Sequence, residues 1–375
     1  MCGSFDPWSQ NIQISAIESA YPEIGSLSAI NILSRNGLGS DGGRVTSIQL
    51  VGSSSNVTIP GAEFAARIGL YSDWFSASGP ISINNDAPAP PPASPAPNSG
   101  VILASNDGGT AAEDGASDLG STYTYGITGL SGSKPLNAPV VGVAATPSGN
   151  GYWLVAADGG VFNFGAAAFY GSTYTYGITG LSGSKPLNAP IVGMAPTASG
   201  NGYWLVAADG GVFDFGAAAF YGSAYSKGYT GLSGPNPLPS KVVAIAPTPS
   251  GNGYWILEAN GDVLPFGGAK DYGSLPPGAP GSGFVGIAST ADGNGYWLVT
   301  RSGSVYGFGD APSYGSFNLS GQSATVVGIT SRGSGYSLIL SNGQVVGFDG
   351  GPSSPALSSS TTGHGAPVIG GAIVG

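Results

Sequence analysis

The side chains best equipped for chemistry in this chain are tyrosines. They sit in two copies of one loop, YTYGITGLSGSKPLN at 123–137 and 174–188, and in a related loop, YSKGYTGLSGPNP at 225–237. Tyr123, Tyr125, Tyr174, Tyr176, Tyr225 and Tyr229 each carry a flat apolar ring and a hydroxyl that both donates and accepts. That chemistry is recognition rather than bond-making, since the apolar ring face complements the C–H face of a pyranose. Loops that outgrow their scaffold are also where binding tends to evolve. These six tyrosines are the candidate ligand-binding residues, and no catalytic residue is assigned.

A second aromatic set, Tyr152/Trp153, Tyr203/Trp204, Tyr254/Trp255 and Tyr296/Trp297, offers the same ring faces. These pairs recur at one position of a repeated motif, which points to packing between repeats instead. Asp158 and Asp209, in AADGG, suit tight turns, where a short carboxylate bonds the backbone two residues on. The Asp-box pattern Ser-x-Asp-x-Gly-x-x-Trp is not met, and only Arg301 and Arg332 follow residue 100 to hold an acidic ligand. His364 lies in TTGHGAP with no Ser or Asp partner at a recognisable spacing. Cys2 and His364 are single in their kind, which excludes a disulfide framework and any Cys/His metal cluster. No metal and no cofactor are expected.

Charged residues make up only 8% of the 375, and the net charge is −10, so a polyanion such as nucleic acid would be repelled. A surface poor in Lys and Glu but rich in Ser, Thr, Asn, Gly and Tyr is typical of proteins that meet neutral polymers outside the cell. The expected location is therefore extracellular or cell-wall associated. MCGSFDPWSQ has neither the basic nor the apolar stretch of a secretion signal, so either an export signal lies upstream of Met1 or the compartment is a different one. No uncharged apolar run reaches the ~18 residues of a membrane span.

The elements that must position these residues are repeats. Residues 122–172 and 173–223 differ at five positions only: Val140/Ile191, Val143/Met194, Ala145/Pro196, Pro147/Ala198 and Asn163/Asp214. Fixed-period similarity signals stacked copies of one small unit. In the type repeat, strand a is 140–146, strand b 152–158, strand c 160–164 and strand d 167–172. Asp158-Gly159, Asp209-Gly210, Asn260-Gly261, Ser302-Gly303 and Asn342-Gly343 suit two-residue hairpin turns between b and c. Strand b is apolar on both faces, as when sheets are covered on both sides.

Blocks of strands b, c and d start at residues 100, 151, 202, 253, 295 and 335, and the first has no strand a before it. The last strand a, at 367–373, has no block after it. Each half-unit completes the other if 367–373 pairs with 100–105, which also removes two exposed sheet edges. The expected fold is thus mainly β: a six-bladed β-propeller of four-stranded blades over 100–375, closed by the C-terminal strand. Gly142, Gly193, Ala244, Gly286, Gly328 and Gly370 on the six strands a suit a crowded axis that holds little chemistry. Before the propeller come a Pro/Ala/Ser linker at 84–99 and a small α+β segment at 1–83.

In that segment, Ile17, Tyr21 and Ile24 suit one side of a helical start. Val45, Ile48 and Leu50, then Val57 and Ile59, suit two strands, and AEFAARIG a helix with Phe64 and Ile68 inward. Tyr21, Pro22, Ile24, Gly25, Arg35, Gly43, Arg44, Val45, Gly61, Arg67, Gly69, Leu70, Ser72, Trp74 and Phe75 follow a pattern that resembles the C-terminal part of the SpoIID/LytB-type domain of bacterial cell-wall proteins. The resemblance spans about residues 11–79. It implies a link to peptidoglycan cleavage or remodelling, which in that family uses an acidic residue in an N-terminal half with no counterpart here. Glu18, Glu23 and Glu63 match no catalytic motif. The GYW and DGG-x-F-x-F-G repeats also look like arrays C-terminal to cell-wall enzymes of Gram-positive bacteria, which implies an accessory surface role.

The leading expectation is an extracellular, non-catalytic binding or adhesion protein whose partner is a cell-wall glycan or a surface protein. The alternatives are a peptidoglycan-lytic enzyme, or a fragment of one, with an accessory propeller, and a structural surface-layer or filament subunit.

Overall fold

A computed structural model describes residues 12–35, 45–70, 82–84, 100–275, 283–319, 321–357 and 366–374. Cys2, Gly43, Arg44, Ser72, Trp74, Phe75, His364 and residues 85–99 lie outside the described residues. The chain divides into two compact units, Met1–Ser94 and Pro95–Gly375.

In the first unit, helix α1 (Ile14–Ala20) is followed by a short 3-10 turn at Pro22–Ile24. Strands β1 (Leu27–Arg35), β2 (Val45–Gly52) and β3 (Asn56–Pro60) come next, then helix α2 (Gly61–Ile68) and strand β4 (Ser82–Asn84). The sheet order is β3-β2-β1-β4, antiparallel except for the parallel β1/β4 pair. The sequence reading assigned no strand at β1. Register shifts after Leu27, Ile32 and Ser34 break the two-residue alternation by which a strand is recognised. Tyr21, Ile24, Ile30, Ile48, Leu50 and Phe64 form one buried cluster, with Ile68 packed against it. Phe64 stacks on Tyr21, and the Arg67 guanidinium lies 4.9 Å from the centre of the Tyr21 ring, tying α2 back to the start of the unit.

The second unit is a β-propeller-type array of three-stranded antiparallel sheets. The first contains β5 (Gly100–Ser105) and β6 (Thr110–Glu113). The second is β7 (Val140–Ala145), β8 (Gly151–Ala156) and β9 (Val161–Gly165), and the third β10 (Ile191–Pro196), β11 (Gly202–Ala207) and β12 (Val212–Gly216). β13 (Val242–Pro247), β14 (Gly253–Glu258) and β15 (Val263–Gly267) make the fourth, and β16 (Phe284–Ser289), β17 (Gly295–Thr300) and β18 (Val305–Gly309) the fifth. Then come β19 (Val326–Arg332), β20 (Gly335–Leu340) and β21 (Val345–Phe348). The C-terminal strand β22 (Val368–Val374) pairs antiparallel with β5 from Val368↔Ser105 to Val374↔Gly100, giving the first sheet its missing strand. The leading strands touch in a cycle: β7, β10, β13, β16, β19, β22 and back to β7.

Two expectations about the repeat are corrected. The 167–172 segment, read as strand d, joins no ladder, and the sheets have three strands among the described residues. A side chain holds it instead: Nε1 of Trp153, Trp204, Trp255 and Trp297 donates to the carbonyl of Ala168, Ala219, Lys270 and Pro312, at 2.7–2.8 Å. The b-to-c turns are also longer than the two residues expected. Ala156 N–H bonds the Gly160 carbonyl, leaving three residues in the loop, and only the glycine takes positive φ, +84° at Gly159. This is the hairpin whose extra residue sits as a bulge in the left-handed region. Asp107-Gly108 is a further turn of this kind, which the sequence reading missed.

Strand b is buried along its whole length in every repeat, as its two apolar faces require. Trp153 packs on Tyr203 of the next sheet with ring centres 5.6 Å apart, and Trp204 on Tyr254 at 5.5 Å. The Tyr-Trp pairs are therefore core, closed to any ligand. Along the cycle, a Cβ on Gly286 would come within 3.1 Å of the Ile329 amide, so a side chain there would require the neighbouring strand to give by a few tenths of an ångström. No helix among the described residues is long and apolar enough to cross a membrane.

Candidate functional site

Five of the six loop tyrosines, all but Tyr229, are carried on short 3-10 turns, Thr122–Tyr125, Thr173–Tyr176 and Ala224–Lys227, each ended by a glycine in the left-handed region. The turn is closed locally: Ser121 N–H donates to Thr124 Oγ1 at 3.0 Å, and Ser172 N–H to Thr175 Oγ1 at 3.0 Å. The rest of the loop folds on itself. Leu136 N–H reaches the Gly129 carbonyl at 2.7 Å, with the Leu136 side chain buried beneath, and Leu187 repeats this with Gly180. Lys134 Nζ donates to the Tyr125 carbonyl at 2.9 Å, and Lys185 Nζ to that of Tyr176 at 3.1 Å. The loops are frames built from their own hydrogen bonds.

Within them the six predicted residues fall into three kinds. The hydroxyls of Tyr123, Tyr174 and Tyr225 donate to Oδ2 of Asp107, Asp158 and Asp209, at 2.8, 2.9 and 2.8 Å. The other carboxylate oxygen of each aspartate accepts the N–H of Gly109, Gly160 or Gly211 and so braces its own hairpin turn. These aspartates are turn and tether groups. Burial, and then the neighbouring carboxylate, push the Tyr123 and Tyr225 hydroxyls up to about 12 and raise that of Tyr174. Tyr125 and Tyr176 reach forward to the next sheet, donating to the Asn163 and Asp214 carbonyls at 2.6 Å, with their rings on Phe164 and Phe215. In the third loop Lys227 stands there instead, its ammonium 4.9 Å from the centre of the Phe266 ring. Tyr229 is the third kind: it is half-buried against the cluster around Trp204 and Leu238 and does not belong to a rim. The tyrosines act as latches along a series of sheets, and they are not pooled at one spot.

Sequence reasoning missed two side chains. Phe169 and Phe220 are 54% and 53% exposed, the most open large apolar groups among the described residues, and they belong to no core cluster. The sequence reading places them in strand d. The signal lay in the alignment of repeats, where the same position holds Asp118 and Asp271 in the sheets on either side. Phe169 stands at the edge of a groove of about 310 Å³, walled by Phe162, by Tyr174 from the loop that follows, and by Lys134, Pro135 and Asn137 from the loop before. A second depression, about 370 Å³, lies where the leading strands end, at Thr146, Thr197, Thr248 and Ile373. Its threonine hydroxyls already donate to the carbonyls of Gly151, Gly202 and Gly253.

Of the three glutamates singled out in the first unit, Glu18 and Glu63 have structural partners. Glu18 Oε1 accepts the Leu27 N–H at 2.8 Å, where β1 begins, and Glu63 pairs with Arg67 one helical turn on at 3.2 Å. Glu23 is exposed. Among the described residues no three His, Cys, Asp or Glu side chains are placed to hold a metal ion. One buried acid stands out in the repeats: Glu258 is fully buried, with Ser240 N–H on Oε2 and no partner on Oε1, and burial pushes its carboxyl up to about 7.

No family model matches the chain, and no curated protein sequence matches it. Among solved structures it is similar to a chain from a crystal structure of a nidogen/laminin complex, at 11% identity and a TM-score of 0.45, covering 74% of this chain and 98% of that one.

Proposed function

We propose that the repeats form a six-bladed β-propeller closed by the C-terminal strand, and that it is a non-catalytic binding or adhesion module outside the cell, docking cell-wall glycan or a surface protein. One observation carries this reading. Tyr125, Tyr174, Tyr176 and Tyr225 keep 42–48% of their surface open although their hydroxyls are engaged. Large ring faces held on self-bonded loops lose little conformational freedom when a partner arrives, which is how a rigid recognition surface gains affinity. The cyclic contacts of the leading strands and the β22/β5 pairing support the closed ring. The low charge and the Ser/Thr/Asn/Gly-rich composition support the extracellular setting, and residues 11–79 are read as the C-terminal part of a SpoIID/LytB-type domain.

The test is sedimentation of the full chain with isolated bacterial cell walls, alongside a glycan array and an assay for released muropeptides. Binding without release is expected. Muropeptide release without binding on the array would overturn the proposal.

A further inference from the structure

Phe169 and Phe220 are unexplained by packing. Exposing a phenylalanine forgoes the favourable burial of a large apolar ring, and here two of them stand half-open at equivalent points of adjacent sheets. The positions 118, 169, 220 and 271 follow one another at the repeat period, and only the middle two are apolar. Around Phe169 are Phe162, Tyr174, Lys134, Pro135 and Asn137. One period on, the matching positions in the sequence hold Phe220, Phe213, Tyr225, Lys185, Pro186 and Asn188.

None of the five differences between the duplicated repeats falls on these residues. The geometry repeats too: Tyr174 to Asp158 at 2.9 Å against Tyr225 to Asp209 at 2.8 Å, with Asn137 and Asn188 beside the respective hydroxyls. One period further, Leu264, Asp271, Pro276, Asn236 and Pro239 replace Phe, Phe, Tyr, Lys and Asn, so the pattern stops after two copies.

Resting on the binding function above, we propose that the groove at Phe169 and the matching place at Phe220 are equivalent subsites for a neutral polysaccharide, one sugar segment stacking on Phe169 and another on Phe220. The groove at Phe169 is lined by apolar rings together with the Lys134 ammonium and the Asn137 amide, and a pyranose has the complementary pair of features, a C–H face and a hydroxyl edge that donates and accepts. Lys134 gives one of its three N–H bonds to the Tyr125 carbonyl, which leaves two for a ligand. The groove volume, about 310 Å³, is at the small end of ligand sites and suits one or two sugar units. The net charge of −10 disfavours an anionic polymer. Two identical sites one repeat apart fit a ligand whose own chemistry repeats, and linked sites add avidity without any new contact.

The test is isothermal titration of the full chain with neutral trisaccharides of glucose, N-acetylglucosamine, mannose and arabinose, and with the parent polymer of whichever binds. Two trisaccharides per chain are expected, falling to one in Phe169→Asp or Phe220→Asp and to none in the double variant. Each substitution installs the residue that the flanking repeats carry at that position. The polymer should bind the wild type at least about tenfold more tightly than either single variant. Thermal melts of the variants should match the wild type, because neither ring is in a core cluster. Glycan binding unchanged in the double variant would overturn the sites while leaving the binding function intact. Adhesion to cell-wall protein with no response to any sugar would overturn the ligand class.

Discussion

The Tyr203 hydroxyl donates to the carbonyl of Gly171 at 2.6 Å, fastening the middle strand of one sheet to the tail of the sheet before it. Tyr254 to Gly222, Tyr296 to Gly273 and Tyr336 to Gly315 repeat the stitch. Tyr203→Phe keeps the ring and removes the bond, leaving a buried carbonyl without its donor and the Tyr170 N–H without its acceptor, so a loss of roughly 1–3 kcal/mol is expected by urea denaturation. Trp204→Ala, which empties the next contact along, against Tyr254, and frees the Ala219 carbonyl, should cost more, roughly 3–5 kcal/mol.

These stitches set an alkaline limit. Burial pushes the hydroxyls of Tyr152, Tyr203, Tyr254 and Tyr336 up to about 12, from 10.0 in the unfolded chain. The folded state therefore holds protons that the unfolded state has released. The stabilisation is complete below pH 10 and is lost as pH rises toward 12. Denaturation midpoints at pH 8, 9.5, 10.5 and 11.5 should be level at first and then fall steeply, and a flat series would contradict the buried phenols.

Glu258 sets a second slope at lower pH. Its folded value of about 7, against an ordinary 4.5, means that stability is greatest below 4.5 and declines as pH rises through 7. Glu258→Gln removes the ionisation. The variant should match the wild type near pH 4 and exceed it at pH 8 by roughly 2–3 kcal/mol, read from urea curves at the two pH values.

Closure can be tested by removing residues 367–375. The deletion strips β22 from β5, exposes the open edge of Gly100–Ser105, and leaves Val101 and Leu103 uncovered on one side. The truncated chain should lose its single sharp melting transition and self-associate on a sizing column. A monomer that melts like the full chain would rule out a role for the tail strand in the fold.

Much of the fold was readable because repetition averages out local ambiguity. The Tyr-Trp pairs recur at one offset, which marks them as core, and the half-units at 100 and 367 required each other. The fourth strand was misread because AAFYGS has the makeup of a strand, while its carbonyls are taken by indole N–H groups such as that of Trp153. Strand β1 was missed because its bulges hide the alternation. Among the candidate site residues, types and positions were visible but partners were not. Tyr174 and Tyr229 look alike in the sequence, yet one hydroxyl meets Asp158 and the other side chain sinks beside Trp204.

The sequence alone determined the repeat, the places of five of its turns, the two-faced middle strand and the need for the tail to pair with the first block, since these follow from periodicity and local backbone preference. Only the tertiary structure decided which aromatics face water. Exposure depends on what neighbouring sheets cover, so Phe164 and Phe169, five residues apart, end as a packed core ring and an open one.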